Sequence, residues 1–377
     1  MPPSTRFLHT ADWQLGLRVN FIPGDAGAVV RNERFSTIRR IGAVARATRS
    51  EFVVVAGDVF EHHGLRPDTL RRSFDAMSEI PVPVYLLPGN HDPLTEDALY
   101  RSEIWQRECP RNVKVLASQD PVVVRPGVTL FGCPLLERHT LGDSTEHLVP
   151  ELGDPEHIRV GVAHGGIKEF LEQLIGPDEP INNAIPVDRA ASSRLDYLAL
   201  GDWHGLLRID DRTWYSGTPE ATRFKERDPG KVLVVEIEAP GALPVVTAHD
   251  VSGLDWKKEE FTLDGDADLA GLQRFVEGLP RKDTTLLELT LVGTIDATVR
   301  SRLDLEILDK ARDRLRFLRV RDENLHTFLG ADDLASLPTE GWLGKAVARL
   351  KTEIEGSSTE ERARALRLLF RLHKGAQ

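Results

Sequence analysis

Cysteine and methionine are scarce in this chain, with two of each in 377 residues. Cys109 and Cys133 are too few for a disulfide framework and leave no thiolate cage for a metal, which fits a reducing interior. Nothing approaches the roughly 18-residue apolar run of a membrane span, and Met1 to Arg6 has no apolar signal core, so a soluble cytoplasmic protein with no membrane partner is expected. Internal repeats and low-complexity tracts are missing too, and with 41% hydrophobic residues disorder is excluded as the global state. Basic charge is in deficit: 48 Lys and Arg against 59 Asp and Glu leave a net charge of −11, which repels polyanions and excludes a simple DNA-coating protein.

What the chain does have is a series of apolar strands, each ending in polar residues. Phe7-Leu8-His9 runs into Asp12-Trp13-Gln14, and Phe52 to Ala56 into Gly57-Asp58. Val82 to Leu87 leads into Pro88-Gly89-Asn90-His91-Asp92, Val160 to Ala163 into His164, and Asp196 to Leu200 into Gly201-Asp202-Trp203-His204. Helices are expected between them over Arg31 to Ser50, after a loop around Pro23-Gly24-Asp25, and over Asp68 to Ile80. Strand alternating with helix is an α/β pattern; from Val113 short strands dominate, and two packed sheets with outer helices accommodate that order.

Polar junctions cease near Ser252-Gly253-Leu254, where a boundary is placed. Beyond it come a helix (Asp268 to Glu277), a strand (Leu286 to Val292), a helix (Thr298 to Leu315) and a strand (Phe317 to Arg321). Helices over Trp342 to Ile354 and Thr359 to Leu372 follow, the last basic and amphipathic. The expected division is residues 1–253, 254–335 and 336–377.

Asp12, Asp58, Asn90, His91, His164, Asp202 and His204 are hard oxygen and imidazole donors, suited to Mn²⁺, Mg²⁺, Zn²⁺ or Fe. Any one of them is explained by the liking of Asp and Asn for turns; the joint set is not. Two metals sharing a carboxylate can hold the attacking and leaving oxygens of a displacement at phosphorus, and Asp58 is the natural bridge.

In order and in flanking strands, Asp12-x-Gln14, Gly57-Asp58, Gly89-Asn90-His91-Asp92, His164 and Gly201-Asp202-x-His204 resemble the calcineurin-like metallophosphoesterase signature. His9 to Trp13, Gly57 to Phe60 and Leu198 to Gly201 are similar to the SbcD-type nucleases of double-strand-break repair. The resemblance implies a four-layer α/β/β/α sandwich, a small α/β capping domain for DNA recognition, and C-terminal helices docking an SbcC-like coiled-coil ATPase, in a homodimer. It implies two divalent metals, one on Asp12, Asp58 and His204 with Gln14 as a candidate fourth ligand, the other on Asp58, Asn90, His164 and Asp202. It makes His91 the catalytic proton donor and Asp92 the residue orienting its ring. Gln14 and Asp202 stand where that family has His, and the added anionic oxygen favours Mn²⁺. The expectation is a metal-dependent DNA nuclease, exo- or endonucleolytic, active in repair. The alternatives are a phosphodiesterase or phosphatase for small molecules and a non-catalytic subunit of an ATPase complex.

Overall fold

The computed structural model describes residues 3–170, 183–328, 339–354 and 368–369. It divides into two compact units, Met1–Leu254 and Asp255–Gln377.

In the first unit Val53–Val55 and Val84–Leu86 are fully buried, as continuous β-branched and leucine runs require of a parallel strand covered on both faces. They lie in a six-stranded sheet of order 245–250, 231–237, 5–10, 53–55, 84–86, 113–115, whose last four strands are parallel. A second six-stranded sheet runs 207–208, 213–215, 197–201, 158–164, 128–133, 122–125, with four parallel strands between two antiparallel edges. Phe7, Val54, Tyr85 and Val235 of one sheet pack against Leu130, Val160, Val162 and Tyr197 of the other. Outside the first sheet, Ile38, Ile41, Leu70, Phe74 and Met77 of two helices, Gly24–Thr48 and Pro67–Ser78, close a separate core. Among the described residues the outer layer on the second sheet is thin: a one-turn helix at Arg189–Ser192, a two-stranded parallel ribbon of Gly166–Ile167 and Ala184–Ile185, and a loop around Leu148. The fold is a mixed α/β sandwich.

Helix Gly24–Thr48 begins seven residues before its expected start at Arg31. Pro23, extended at φ −76° and ψ 166°, sits at the N-cap, so the Pro-Gly-Asp turn sequence opens the helix and is not a loop.

The second unit has three parallel strands in chain order, Asp255–Leu263, Thr285–Asp296 and Phe317–Phe328. Leu287, Leu289 and Leu291 face the helix Asp266–Gly278 and the helical stretch Ala297–Arg302, Leu303–Leu308, Asp309–Arg314, whose middle segment is a π-helix. A further helix, Gly341–Ile354, belongs to this unit, whereas the expected helix over Thr359 to Leu372 lies outside the described residues apart from 368–369. No described helix is long and apolar enough to cross a membrane.

Strands 5–10, 53–55, 84–86, 158–164 and 197–201 deliver their C-terminal ends to one rim. Gly201 and His164 are register partners there, and Asp12 N–H donates to Gly57 O (3.0 Å), Gln14 N–H to Asp58 O (2.9 Å). Tight packing at that rim excludes a side chain at Gly57, where φ is +90° and a Cβ would lie 2.1 Å from His164 Nδ1. Gly241 is equally left-handed at +83° but has nothing within 4 Å. Gly241→Ala should cost about 1–2 kcal/mol of left-handed strain. Gly57→Ala should cost at least twice that, read as a clearly larger drop in melting temperature.

Candidate metal centre

Asp12, Asp58 and Asp202 sit in loops just beyond strand ends, with φ of +53°, +50° and +98°. Gln14 is left-handed as well, at +44°. Such backbone is unfavourable for residues carrying a Cβ and persists only where surrounding structure enforces it. Here the enforcing contacts are the Asp12–Gly57 and Gln14–Asp58 hydrogen bonds, continued by Leu15 N–H to Val59 O at 2.9 Å.

Those loops gather the donors. Asp12, Asp58 and His164 each offer a ligand atom, all within 4.8 Å of one another, and all three are buried. His164 Nε2 lies 3.3 Å from Asp58 Oδ1, 3.8 Å from Asp202 Oδ1 and 2.9 Å from Asn90 Oδ1. Asp202 N–H donates to both Asp12 oxygens at 3.2 Å. On the other flank His204 Nε2 meets Gln14 Nε2 at 3.1 Å.

Both imidazoles are locked from behind. His164 Nδ1 donates to Ala56 O at 2.8 Å, and His204 Nδ1 lies 2.6 Å from Glu226 Oε1, which leaves Nε2 of each ring to face inward, that of His164 toward Asp58 and Asp202 and that of His204 toward Gln14. Asn90 Oδ1 faces only acceptors; turning the amide over would let its NH₂ donate to Asp58 (3.1 and 3.2 Å) and His164 (2.9 Å). An amide oxygen aimed at a carboxylate and an imidazole lone pair is favourable when a cation lies among them. The electrostatics agree. Burial, with Asp58 and Asp202 nearby, raises the Asp12 carboxyl to about 7 against the pull of His204 and His164. Burial lowers His164, but Asp58, Asp12 and Asp202 outweigh it and raise the ring to about 9. These groups hold protons in place of other positive charge, so the donor set fits divalent cations.

Two expected roles change. Asp92 does not touch the His91 ring: its carboxylate is buried and accepts from Gly89 N–H (2.8 Å), Phe60 N–H (3.0 Å) and Tyr100 O–H (2.5 Å). It ties the Asn90 loop to the Asp58 loop, and His91 Nδ1 is held by the Glu61 carbonyl at 3.1 Å. Gln14 turns its amide nitrogen to His204, so ligation by its oxygen requires the amide to rotate.

Glu226 and Tyr100 went unnoticed in sequence. Glu226 stands 22 residues beyond His204, next to Arg223-Phe224-Lys225, and no spacing rule links a carboxylate so placed to an imidazole. Three arginines on the helices Gly24–Thr48 and Pro67–Ser78 are held in ion pairs: Arg39 with Glu79 (2.7 Å), Arg40 with Glu33 (2.7 Å) and Arg71 with Glu108 (2.9 Å).

The calcineurin-like phosphoesterase family model matches residues 5–236, which contain every one of these donors. The chain belongs to that family. Metal-dependent phosphoester hydrolysis is the chemistry of the family. The chain is also similar to the uncharacterized metallophosphoesterase YhaO of Bacillus subtilis (strain 168), 25% identical over 287 residues, which cover 72% of this chain and 66% of that relative's length. Two solved structures from Thermus thermophilus are similar: TT1561 (9% identity, TM-score 0.39, 66% of this chain and 100% of that one) and a 5'-nucleotidase precursor (14%, 0.34, 66% and 54%).

Folded Asp12 and His164 keep protons that the unfolded chain loses above about 3.8 and 6.5. The metal-free protein should therefore lose stability as pH rises toward about 7 and then about 9. Because a cation replaces those protons, the rise in melting temperature on adding saturating Mn²⁺ should be larger at pH 8 than at pH 6. Glu226→Gln should weaken Mn²⁺ binding about 10- to 100-fold in a calorimetric titration, as loss of a carboxylate behind a ligating His does.

Proposed function

We infer that the protein is a two-metal phosphodiesterase whose substrate is DNA, a nuclease of SbcD type. The observation that carries the hydrolytic reading is the convergence of His164 Nε2, Asn90 Oδ1 and the Asp58 carboxylate within 3.3 Å of one another's nearest atoms, with His91 beside them. The cations assigned to Asp12, Asp58, His204 and Gln14, and to Asp58, Asn90, His164 and Asp202, supply Lewis acidity to a phosphoryl group and lower the pKa of water. Mn²⁺ is the expected ion, since Asp202 adds an anionic oxygen to the second set.

The chain's own groups do the rest. His91 N–H donates to Asp58 Oδ1 at 2.9 Å and fixes the carboxylate shared by the two sets. With Nδ1 on the Glu61 carbonyl, His91 presents Nε2 3.8 Å from Asp58 Oδ2, beyond hydrogen-bond range. That nitrogen, on a side chain 26% exposed, is the group that would pass a proton to a departing ester oxygen. Asp92, through Gly89 and Phe60, keeps the Asn90–His91 loop in register with Asp58.

DNA as substrate is supported by the motif order, in which the SbcD-like segments coincide with the metal loops. An ATPase docked on the C-terminal helices, Gly341–Ile354 among them, and a homodimer belong to the same proposal. One observation favours the rival, a small phosphodiester: a net charge of −11 opposes a long polyanion.

Labelled duplex DNA and bis(p-nitrophenyl) phosphate, each with Mn²⁺, separate the two readings; hydrolysis of the small diester alone removes the nuclease. His91→Asn should lower kcat by about 10²- to 10⁴-fold while leaving Mn²⁺ affinity unchanged. Undiminished activity of His91→Asn within the assembled complex would instead make this chain a binding subunit.

A further inference from the structure

The two loops that deliver the metal donors do not end at the rim. Leu15 pairs in parallel with Phe60, Glu61 N–H donates to Leu15 O at 3.0 Å, and the paired backbones run on into Gly16–Arg18 and His62–Arg66. There they line a cavity of about 400 Å³ with the outer faces of helices Gly24–Thr48 and Pro67–Ser78. Gly16, at the left-handed φ of +94° that favours glycine, shapes its rim, and Leu65 folds close over it, its Cδ2 2.2 Å from where a Cβ would stand.

The lining is one-signed. Arg18, Arg31, Arg34, Arg66, Arg72 and His62 contribute, and no Asp or Glu does, in a chain whose net charge is −11. Arg34 forms the wall toward the metal loops. It is 3% exposed, donates to Trp13 O (3.0 Å) and Ala221 O (2.9 Å), and its buried Nε has no partner. Arg72 lies 4.3 Å over the Phe35 ring and donates to Asn32 Oδ1 at 2.9 Å, so its guanidinium is positioned without being neutralised. Arg18 and Arg31 have no ion pair among the described residues, whereas Arg39 and Arg71 on the same two helices are bound to Glu79 and Glu108. Arg66 pairs with Asp68 at 3.7 Å, whereas Arg18, Arg31 and Arg72 carry no ion pair among the described residues; guanidiniums so placed around a cavity are the recognition chemistry of phosphate, and their charge would be costly to collect for packing alone.

We propose that this cavity is a phosphate subsite that grips the backbone of a nucleic-acid strand beside the metal centre, through Arg18, Arg31 and Arg72. The inference rests on the nuclease reading for the identity of the strand. It also resolves the conflict with the acidic total, because a local cluster of unpaired cations meets the polyanion where the metal loops emerge.

The test is binding of a fluorescein-labelled single-stranded DNA oligonucleotide in EDTA, followed by anisotropy over a range of salt. The triple variant Arg18→Gln, Arg31→Gln, Arg72→Gln should bind at least about tenfold more weakly. Its log–log salt slope should be shallower by roughly 2, the value for three lost phosphate contacts on a single strand. The control Arg39→Gln, Arg71→Gln should bind as the unmodified protein does, and melting temperatures should show both variants folded. Inorganic phosphate should compete only at far higher concentration than the oligonucleotide; equal competition would make the site one for free phosphate and overturn the strand. Hydrolysis of bis(p-nitrophenyl) phosphate with Mn²⁺ should be unchanged in the triple variant, and a parallel loss there would overturn the subsite. Unchanged affinity in the triple variant, an equal loss in the control, or no binding by the unmodified protein overturns it as well. If the unmodified protein cleaves DNA while the triple variant binds normally, the subsite falls and the nuclease stands. If binding depends on these arginines but no nucleic acid is cleaved, the nuclease reading falls and the subsite stands.

Discussion

Carboxylates held together away from water repel one another, and relief of that repulsion is the constraint on which this fold turns. Asp12 and Asp58 are buried within 4.8 Å of His164, with Asp202 and Asn90 on the same ring. Burial, more than the neighbouring carboxylates, raises the Asp12 carboxyl to about 7, while Asp58, Asp12 and Asp202 overcome the lowering effect of burial on His164 and raise its ring to about 9. The rest of the first unit resists that repulsion. Two parallel-stranded sheets fix the loop origins, left-handed backbone at Asp12, Gln14, Asp58 and Asp202 aims the side chains inward, and interloop hydrogen bonds hold the strained turns.

Behind the donors a second set of groups limits how they can move. Ala56 O and Glu226 fix the tautomers of His164 and His204. Asp92 is itself pushed up to about 6 by burial and by Asp58, against hydrogen bonds from Tyr100, Gly89 and Phe60. It binds two catalytic loops together and leaves His91 to the Glu61 carbonyl. The same paired loops continue outward into the arginine-lined cavity, which puts the donor set and that cavity on one run of backbone.

Much of this was legible in the sequence because the relevant signals are local. Continuous apolar runs such as Val53–Val55 announce buried parallel strands, and a polar residue after each run marks the rim. What escaped was set by tertiary contact. Asp255–Leu263, with Lys257, Lys258, Glu259 and Glu260 in succession, lacks the apolar run that marks the other strands, yet it is a strand at the edge of its sheet with most of its charged residues exposed. Arg34 is buried although nothing local in the sequence separates it from the other arginines of its helix, because the carbonyls of Trp13 and Ala221 receive its guanidinium. The resemblance makes Asp92 the residue that orients the His91 ring, whereas the Asp92 carboxylate accepts from Gly89 N–H and the His91 ring is held by the Glu61 carbonyl.

The central claim, that protons at this cluster stand in for divalent cations, is tested most directly by calorimetric titration of the metal-stripped protein with Mn²⁺ at pH 7, repeated in two buffers of different ionisation enthalpy. The account predicts binding whose apparent enthalpy changes with the buffer, because protons leave Asp12 and His164 as the cation enters. Absence of binding, or binding with an enthalpy independent of the buffer, would contradict it.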